Sequence, residues 1–399
     1  MIVENCSYLR DPRVGKEARA LREKGYRVSV IAPEARKLPS SDVIDGIAVY
    51  GFPQFSFTNG TLGYFLEYFY ATTAIAVITL YLFLTCGFDI VHIANPPDCL
   101  IPAAAVYKLF GKKLIYDQHD LGPELYVARF SSPSRVLARI QLFLEQLCYK
   151  LADHVIVTNE SSREIAVERG EIPESKVTVV RNGPSLEHLQ ASEIDEELRA
   201  RSRNIIAFAG ITGYQDGLDY LCRSLRSLRF EIGKEAFLCI VLGDGDALAH
   251  IKELAQELEI EDKMWFAGWV SDPEQYRRYL RTADICVAPE PSNTYNDHST
   301  FVKIMEYMAA GRPIVAFDLP ENRFSSGESA LYAIPNSPQE FAIKLAELME
   351  DEALRRSMGE SGRRRIETQL AWKYSVPPLL SVYEGFSKSR NDSALSANA

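Results

Sequence analysis

The segment that most constrains the fold runs from 284 to 317, where two short apolar runs flank a polar loop and an amphipathic stretch. Residues 284–288 (Asp-Ile-Cys-Val-Ala) and 314–317 (Ile-Val-Ala-Phe) are short, β-branched and lack polar alternation, as expected of strands covered on both faces in a parallel sheet. The polar loop leads to Ser299 or Thr300, where the pattern predicts a helix that stops at Gly311, a residue suited to a left-handed C-terminal cap. Such a strand–helix–strand unit places its loop at the carboxyl end of a parallel strand, where open α/β sheets take ligands. The helix start offers unpaired N–H groups and the positive end of a dipole, which suits a diphosphate. Lys303 and Glu306 are three residues apart and share one helical face. A cation for phosphate and a carboxylate for sugar hydroxyls then meet at one mouth. An ordinary surface Lys–Glu pair fits the same spacing.

Glu306-Tyr307-Met308-Ala309-Ala310-Gly311-Arg312-Pro313-Ile314-Val315 resembles the Glu-Ala-Met-Ala-x-Gly-x-Pro-Val-Val block of retaining glycosyltransferases of the GT-B fold, family 4. The stretch from Asn296 and Asp297 through Ser299, Thr300 and Lys303 to Ala309 is similar to one in bacterial surface-polysaccharide transferases. The resemblance implies an α/β fold of two Rossmann-like, doubly wound domains facing a central cleft. It implies transfer of a sugar from a nucleotide-diphosphate donor, by family frequency a UDP-sugar, to a glycan or lipid-linked glycan with retention. No cofactor and no metal are expected. Two glutamates separated by seven residues hold the donor in that family. Here the second is Glu306, implied to bind the ribose. The first position falls on His298, leaving His298 or Asp297 for the donor sugar.

At 399 residues the chain suits two domains. Strand–helix alternation gives strands near 28–32, 89–93, 113–117, 151–157 and 177–180, then a break at Arg181-Asn182-Gly183-Pro184. It resumes at 205–210, 238–242 and 264–267. The expected boundaries are 1–186 for an acceptor-binding domain, 187–371 for a nucleotide-sugar domain, and 389–399 for a disordered tail. The helix 372–388 is implied by the resemblance to pack back on the first domain. Net charge is −10, which argues against nucleic acid as a partner. The charge is uneven: residues 1–190 carry 20 basic and 21 acidic side chains, the rest 24 and 33. The seven cysteines are scattered without a Cys-x-x-Cys, and Met1-Ile-Val-Glu-Asn is too short an apolar run for a signal peptide. A cytoplasmic setting follows, at the inner face of the membrane if the apolar segments below meet lipid.

His119 follows a buried strand, in Asp117-Gln118-His119-Asp120-Leu121-Gly122-Pro123-Glu124. It therefore emerges at the carboxyl edge and, by resemblance, beside the donor sugar. Asp120 and Glu124 could orient it or receive the acceptor. Asn95 and Asp98, ending the strand 89–93, are further acceptor-site candidates. In the second half, Gly210, Gly213 and Gln215 open the first helix, where the family often carries Arg or Lys. This chain has none there, so phosphate charge falls to backbone N–H groups and Lys303, with Ser299, Thr300, Phe301 and Val302 at the helix start. Gly243 sits in a strand-to-turn glycine pair that fails the dinucleotide fingerprint, because Leu248 takes the third glycine position. His119, Lys303 and Glu306 form the expected catalytic set, with front-face attack by the acceptor because no nucleophile is evident.

Residues 68–86 are uncharged and long enough to span a bilayer, yet run straight into the strand 89–93. A helix packed on the first sheet, with Tyr64, Phe65, Tyr68 and Phe69 available to lipid, is the preferred reading. The segment 129–150, with Arg129, Arg135, Arg139 and Lys150 among Leu and Phe, is a second candidate for peripheral membrane contact across 64–86 and 129–150. A nucleotide-sugar epimerase and a non-catalytic nucleotide-binding subunit are the rival functions.

Overall fold

A computed structural model of the chain describes residues 1–33, 41–54, 61–130, 132–185 and 193–397, with the side chains at 41, 42, 61, 62, 64, 65 and 388–397 excepted. Tyr64 and Phe65 therefore lie outside the described side chains, and the expected domain boundary at 186/187 lies outside the described residues. Two compact units divide the chain. One comprises Met1–Val127, Ser132–Arg181 and Ser375–Ala399; the other comprises Ala128–Ser131 and Asn182–Tyr374.

The first unit holds β1 (Ser29–Pro33), β2 (Ser41–Ile44), β3 (Ile47–Phe52), β4 (Ile90–Ala94), β5 (Lys113–Gln118), β6 (His154–Val157) and β7 (Val177–Val179). They form a sheet in the order β1-β3-β2 and a parallel sheet in the order β4-β5-β6-β7. Ile2 stitches the two by pairing in parallel with both Ile31 and Ile93. β2 runs antiparallel to β3 across Asp45-Gly46, both at positive φ (+50° and +71°), the backbone of a tight hairpin turn.

The helix Thr61–Thr85 packs one stripe, Ala71, Ala74, Ile75, Ile78, Thr79 and Leu82, into this unit's core. Its other stripe, Phe69, Val77, Leu80, Tyr81 and Leu84, is exposed. The final helix, Val376–Ala397, belongs to the same unit and buries Leu379, Val382 and Tyr383 against it. Its backbone is helical through residues 389–397. A cavity of about 580 Å³ opens at the amino-terminal edge of the sheet, lined by Met1, Ser29, Asp89 and Lys113, opposite the edge that carries His119.

The second unit is one six-stranded parallel sheet in the order β10-β9-β8-β11-β12-β13. Its strands are β8 (Asn204–Ala209), β9 (Phe237–Leu242), β10 (Met264–Gly268), β11 (Ile285–Ala288), β12 (Ile314–Phe317) and β13 (Ala330–Ala333). Every residue of β8, β9, β11 and β12 is buried, which is why these strands read as unbroken apolar runs. Separate hydrophobic clusters lie on the two faces, with Phe208 in one and Ala207 in the other, as the two-residue period of a strand requires.

Candidate active site

In the second unit the loops after β8 and β9 lie backbone on backbone. Thr212 N–H donates to Asp244 O at 3.1 Å and Ala247 N–H to Thr212 O at 3.0 Å. A side chain at Gly243 would put its Cβ 1.8 Å from Gly210 O, and its φ is +152°. Gly243 is thus a close-approach glycine. Asn296, fully buried, ties in the loop after β11: its Nδ2 donates to Gln215 O at 3.0 Å and Pro291 O at 2.8 Å.

Lys303 reaches this junction from the first turn of the helix Val302–Ala309. Its Nζ donates to Glu290 Oε1 at 2.5 Å and lies 4.2 Å from the centroid of the Phe208 ring. A Cβ on Gly210 would stand 3.0 Å from Lys303 Cε, so the glycine makes room for the lysine stem. Glu290 is wholly buried, and its second oxygen, Oε2, has no protein partner. Asp216 accepts from Gly213 N–H at 2.9 Å and Gln215 Nε2 at 3.1 Å. Burial pushes its carboxyl up to about 6, with Glu290 adding and Lys303 opposing. Glu306 takes a different partner: Tyr276 donates its hydroxyl to Oε2 at 2.6 Å. Burial first, and the Glu306 charge second, hold that phenol well above its ordinary range. Lys303 and Glu306 therefore each have their own partner and do not pair with one another.

The helix begins at Val302, after Ser299 and Thr300, where the sequence pattern placed its start. Both hydroxyls are used elsewhere, Ser299 Oγ on Tyr295 O at 2.8 Å and Thr300 Oγ1 on Glu321 Oε2 at 3.2 Å, so neither caps the helix. Phe301, the residue before it, packs against the core instead. The other end is a left-handed cap: Gly311 has φ +70°, and Arg312 N–H reaches back to Tyr307 O. Asp297 and His298 lie on a single 3-10 turn, Asn296–His298. Asp297 Oδ2 accepts from Ser292 Oγ at 3.1 Å, while Oδ1 is buried without a protein partner.

In the first unit, Asn95 clamps the loop after β5. Its Oδ1 accepts from the main-chain N–H of His119 at 2.6 Å and of Asp120 at 3.1 Å. Its Nδ2 faces Asp98 Oδ1, Tyr116 OH and Asp120 O within 3.1 Å, so the amide's hydrogen-bonding capacity is filled inside the fold. Asp98 is held by Tyr116 OH at 2.6 Å. Glu124 is paired with Arg169, which also bonds Glu145 Oε2 at 2.7 Å. Asp120 is the acceptor candidate with a partly open side chain, 26 % exposed, and Arg13 stands 4.0 Å from it. Arg13 is itself held by Asp11, which caps the helix Pro12–Glu23. The His119 side chain is only 2 % exposed; its Nε2 meets Asp117 Oδ2 at 2.6 Å.

Residues 14–188 match the Glycosyltransferase Family 4 model, and residues 203–351 match that of glycosyl transferases group 1. The chain is a two-domain glycosyltransferase. An uncharacterized glycosyltransferase of Methanocaldococcus jannaschii is 22% identical over 277 residues, 68% of either chain. Sucrose-phosphate synthase from Thermosynechococcus elongatus superimposes with a TM-score of 0.75 at 16% identity, over 97% of this chain and 99% of that one. The Anabaena protein HepE in complex with UDP gives 0.65 at 17% identity, over 97% and 99%. At such identities the likeness carries the fold, which is GT-B.

Three side chains of this glycosyltransferase were not singled out from sequence. Glu290 stands between two prolines at the end of a buried strand, and a carboxylate so placed at a carboxyl edge was a usable signal. Arg13, just inside a helix capped by Asp11, reads as an ordinary helix-start residue until the fold brings it to Asp120. Tyr276 gave no signal, because its link to Glu306 joins residues thirty positions apart.

Proposed function

We propose that this glycosyltransferase moves a sugar from a nucleotide diphosphate, a UDP-sugar by preference, to a glycan or lipid-linked glycan with retention. The observation that carries the reading is Lys303, a cation only 10 % exposed, set against Gly210 at the carboxyl edge of the second sheet and balanced by Glu290. The lysine and the N–H groups of Val302 and Lys303 would stabilise charge developing on the leaving diphosphate. Glu306, steadied by Tyr276, would take the ribose hydroxyls. Asp297, with an unpartnered carboxylate oxygen, or its neighbour His298 would hold the donor sugar. His119 would face the sugar, with Asp120 and Arg13 receiving the acceptor. The acceptor hydroxyl attacks from the face the diphosphate leaves, and the leaving phosphate oxygen takes its proton. No metal enters this scheme.

Membrane contact is part of the proposal. The exposed stripe of Thr61–Thr85 is one surface. The stripe Val136, Ile140 and Phe143, beside exposed Arg135 and Arg139 on the helix Arg135–Leu151, is the other. Both fit the cytoplasmic face of a membrane holding a lipid-linked acceptor. Calorimetric titration of UDP, GDP and ADP, with and without chelator, tests the donor assignment. One nucleotide should bind regardless of chelator and weaken in Glu306→Ala by about 1–3 kcal/mol, the cost of unmet polar groups. Binding by none would overturn it.

A further inference from the structure

Beneath the loop 119–121 lie ionisable side chains that donor and acceptor handling leave unused. Glu17 comes from the helix Pro12–Glu23, His92 from β4, Asp117 from β5 and Tyr383 from the last helix. Each is 5 % exposed or less. His92 Nδ1 and Tyr383 OH are 2.7 Å apart. His92 Nε2 stands 3.2 Å from Asp117 Oδ2 and 3.4 Å from Glu17 Oε2. Asp117 Oδ2 also meets His119 Nε2 at 2.6 Å. Burying so many ionisable groups is costly where apolar packing would serve, and the neighbouring core is apolar.

Burial raises the Tyr383 phenol, so it stays protonated and donates to Nδ1. Burial lowers His92, so its ring is neutral, and its one proton sits on Nε2 facing the carboxylates. Burial, then the Asp117 charge, raises Glu17 well above its ordinary range, so it is uncharged. Burial alone would raise Asp117 too, but the His119 and His92 rings outweigh it and hold this carboxyl low. One carboxylate thus remains, and it can only accept. The His119 Nε2 that meets it therefore carries a proton.

We propose that Glu17, His92 and Tyr383 are positioning residues. Through Asp117 they fix the tautomer and the ring orientation of His119. A carboxylate that orients an imidazole in this way is a known device. The addition here is a second imidazole behind the carboxylate, anchored by a phenol on the chain's last helix. The inference rests on the reading that His119 faces the donor sugar.

The experiment is a nitrogen-15 imidazole spectrum of histidine-labelled full-length protein, run beside the rate of UDP-glucose hydrolysis. The protein has six histidines, and His119 is assigned by its loss in His119→Ala. Wild type should show His119 in one state, protonated at Nε2. Tyr383→Phe, which removes one hydroxyl, should give a mixture of tautomers. It should also cut kcat between about tenfold and a hundredfold, the scale of small misplacements, with KM little changed. In a His119→Ala background Tyr383→Phe should cost nothing further. A His119 spectrum unaltered in both Tyr383→Phe and Asp117→Asn overturns the proposal, as does additive loss in the double variant. Glu17, His92 and Asp117 bring ligand atoms within 4.8 Å of one another, so stoichiometric metal in the purified protein would overturn it too. If His119→Ala hydrolyses donor at the wild-type rate while the tautomer still responds to Tyr383→Phe, the reading of His119 fails and the coupling stands.

Discussion

Replacing Lys303 with methionine keeps most of the side-chain volume and removes the charge. Among the described residues Lys303 is the one group bonded to Glu290, which is wholly buried and has its other oxygen unpartnered. Removing one member of a buried pair costs about 3–5 kcal/mol, because the remaining charge is left uncompensated. Loss of the cation above the Phe208 ring adds about 1 kcal/mol. The second unit of Lys303→Met should therefore be less stable by about 4–6 kcal/mol. Unfolding of that unit can be followed selectively, because all three tryptophans, Trp265, Trp269 and Trp372, lie in it. Urea titration read by tryptophan fluorescence gives the change in midpoint. Glu290→Gln combined with Lys303→Met leaves no buried charge and should recover more than half of the loss. The double variant should still fail to bind UDP, which separates the lysine's part in binding from its part in stability. A loss under about 1 kcal/mol in the single variant, the range of an exposed pair, would refute the reasoning. So would a double variant no more stable than the single one.

Gly243→Ala should lower the same midpoint by about 3 kcal/mol or more, since its Cβ meets Gly210 O. Gly233→Ala, at φ +78° with open space around it, should lose only the left-handed penalty of about 1–2 kcal/mol. Equal losses would contradict the close-approach argument. The Asp216 carboxyl sits near 6 when folded against about 3.9 unfolded, so its bound proton stabilises the second unit fully below about pH 4. That contribution, about 3 kcal/mol, is lost as pH rises through 6, and Asp216→Asn should abolish it in urea titrations at pH 4.5 and 7. Leu80→Glu with Leu84→Glu, both on the exposed stripe, should weaken sedimentation with vesicles of anionic phospholipid by at least about tenfold, with circular dichroism unchanged. Equal sedimentation would remove that helix as a membrane contact.

The sequence carried the parallel strands of the second unit well, because both faces of β8, β9, β11 and β12 are covered and composition alone marks them. Gly311 likewise announced its own conformation. The helix start was misplaced because Ser299 and Thr300 look like caps, while their hydroxyls bond Tyr295 and Glu321, partners that only the fold supplies. β2 and its partner β3 both escaped notice; β2 is an edge strand of four residues turning on Asp45-Gly46, with Val43 exposed. The departure at His298 drew attention away from Glu290, eight positions earlier, which is the carboxylate that meets Lys303. Contacts such as Tyr276 with Glu306 or Tyr383 with His92 depend on tertiary proximity and have no local signature.

The last helix completes the core of a unit whose other strands are all made by residue 179. On a ribosome, residues 182–374 must be synthesised in between, a delay of roughly 10–40 seconds at ordinary elongation rates. Throughout that interval the surface that will receive Leu379, Val382 and Tyr383 is bare, and His92 lacks its phenol. The first unit is therefore begun before the second and completed after it. A fragment ending at residue 181 would leave that surface uncovered.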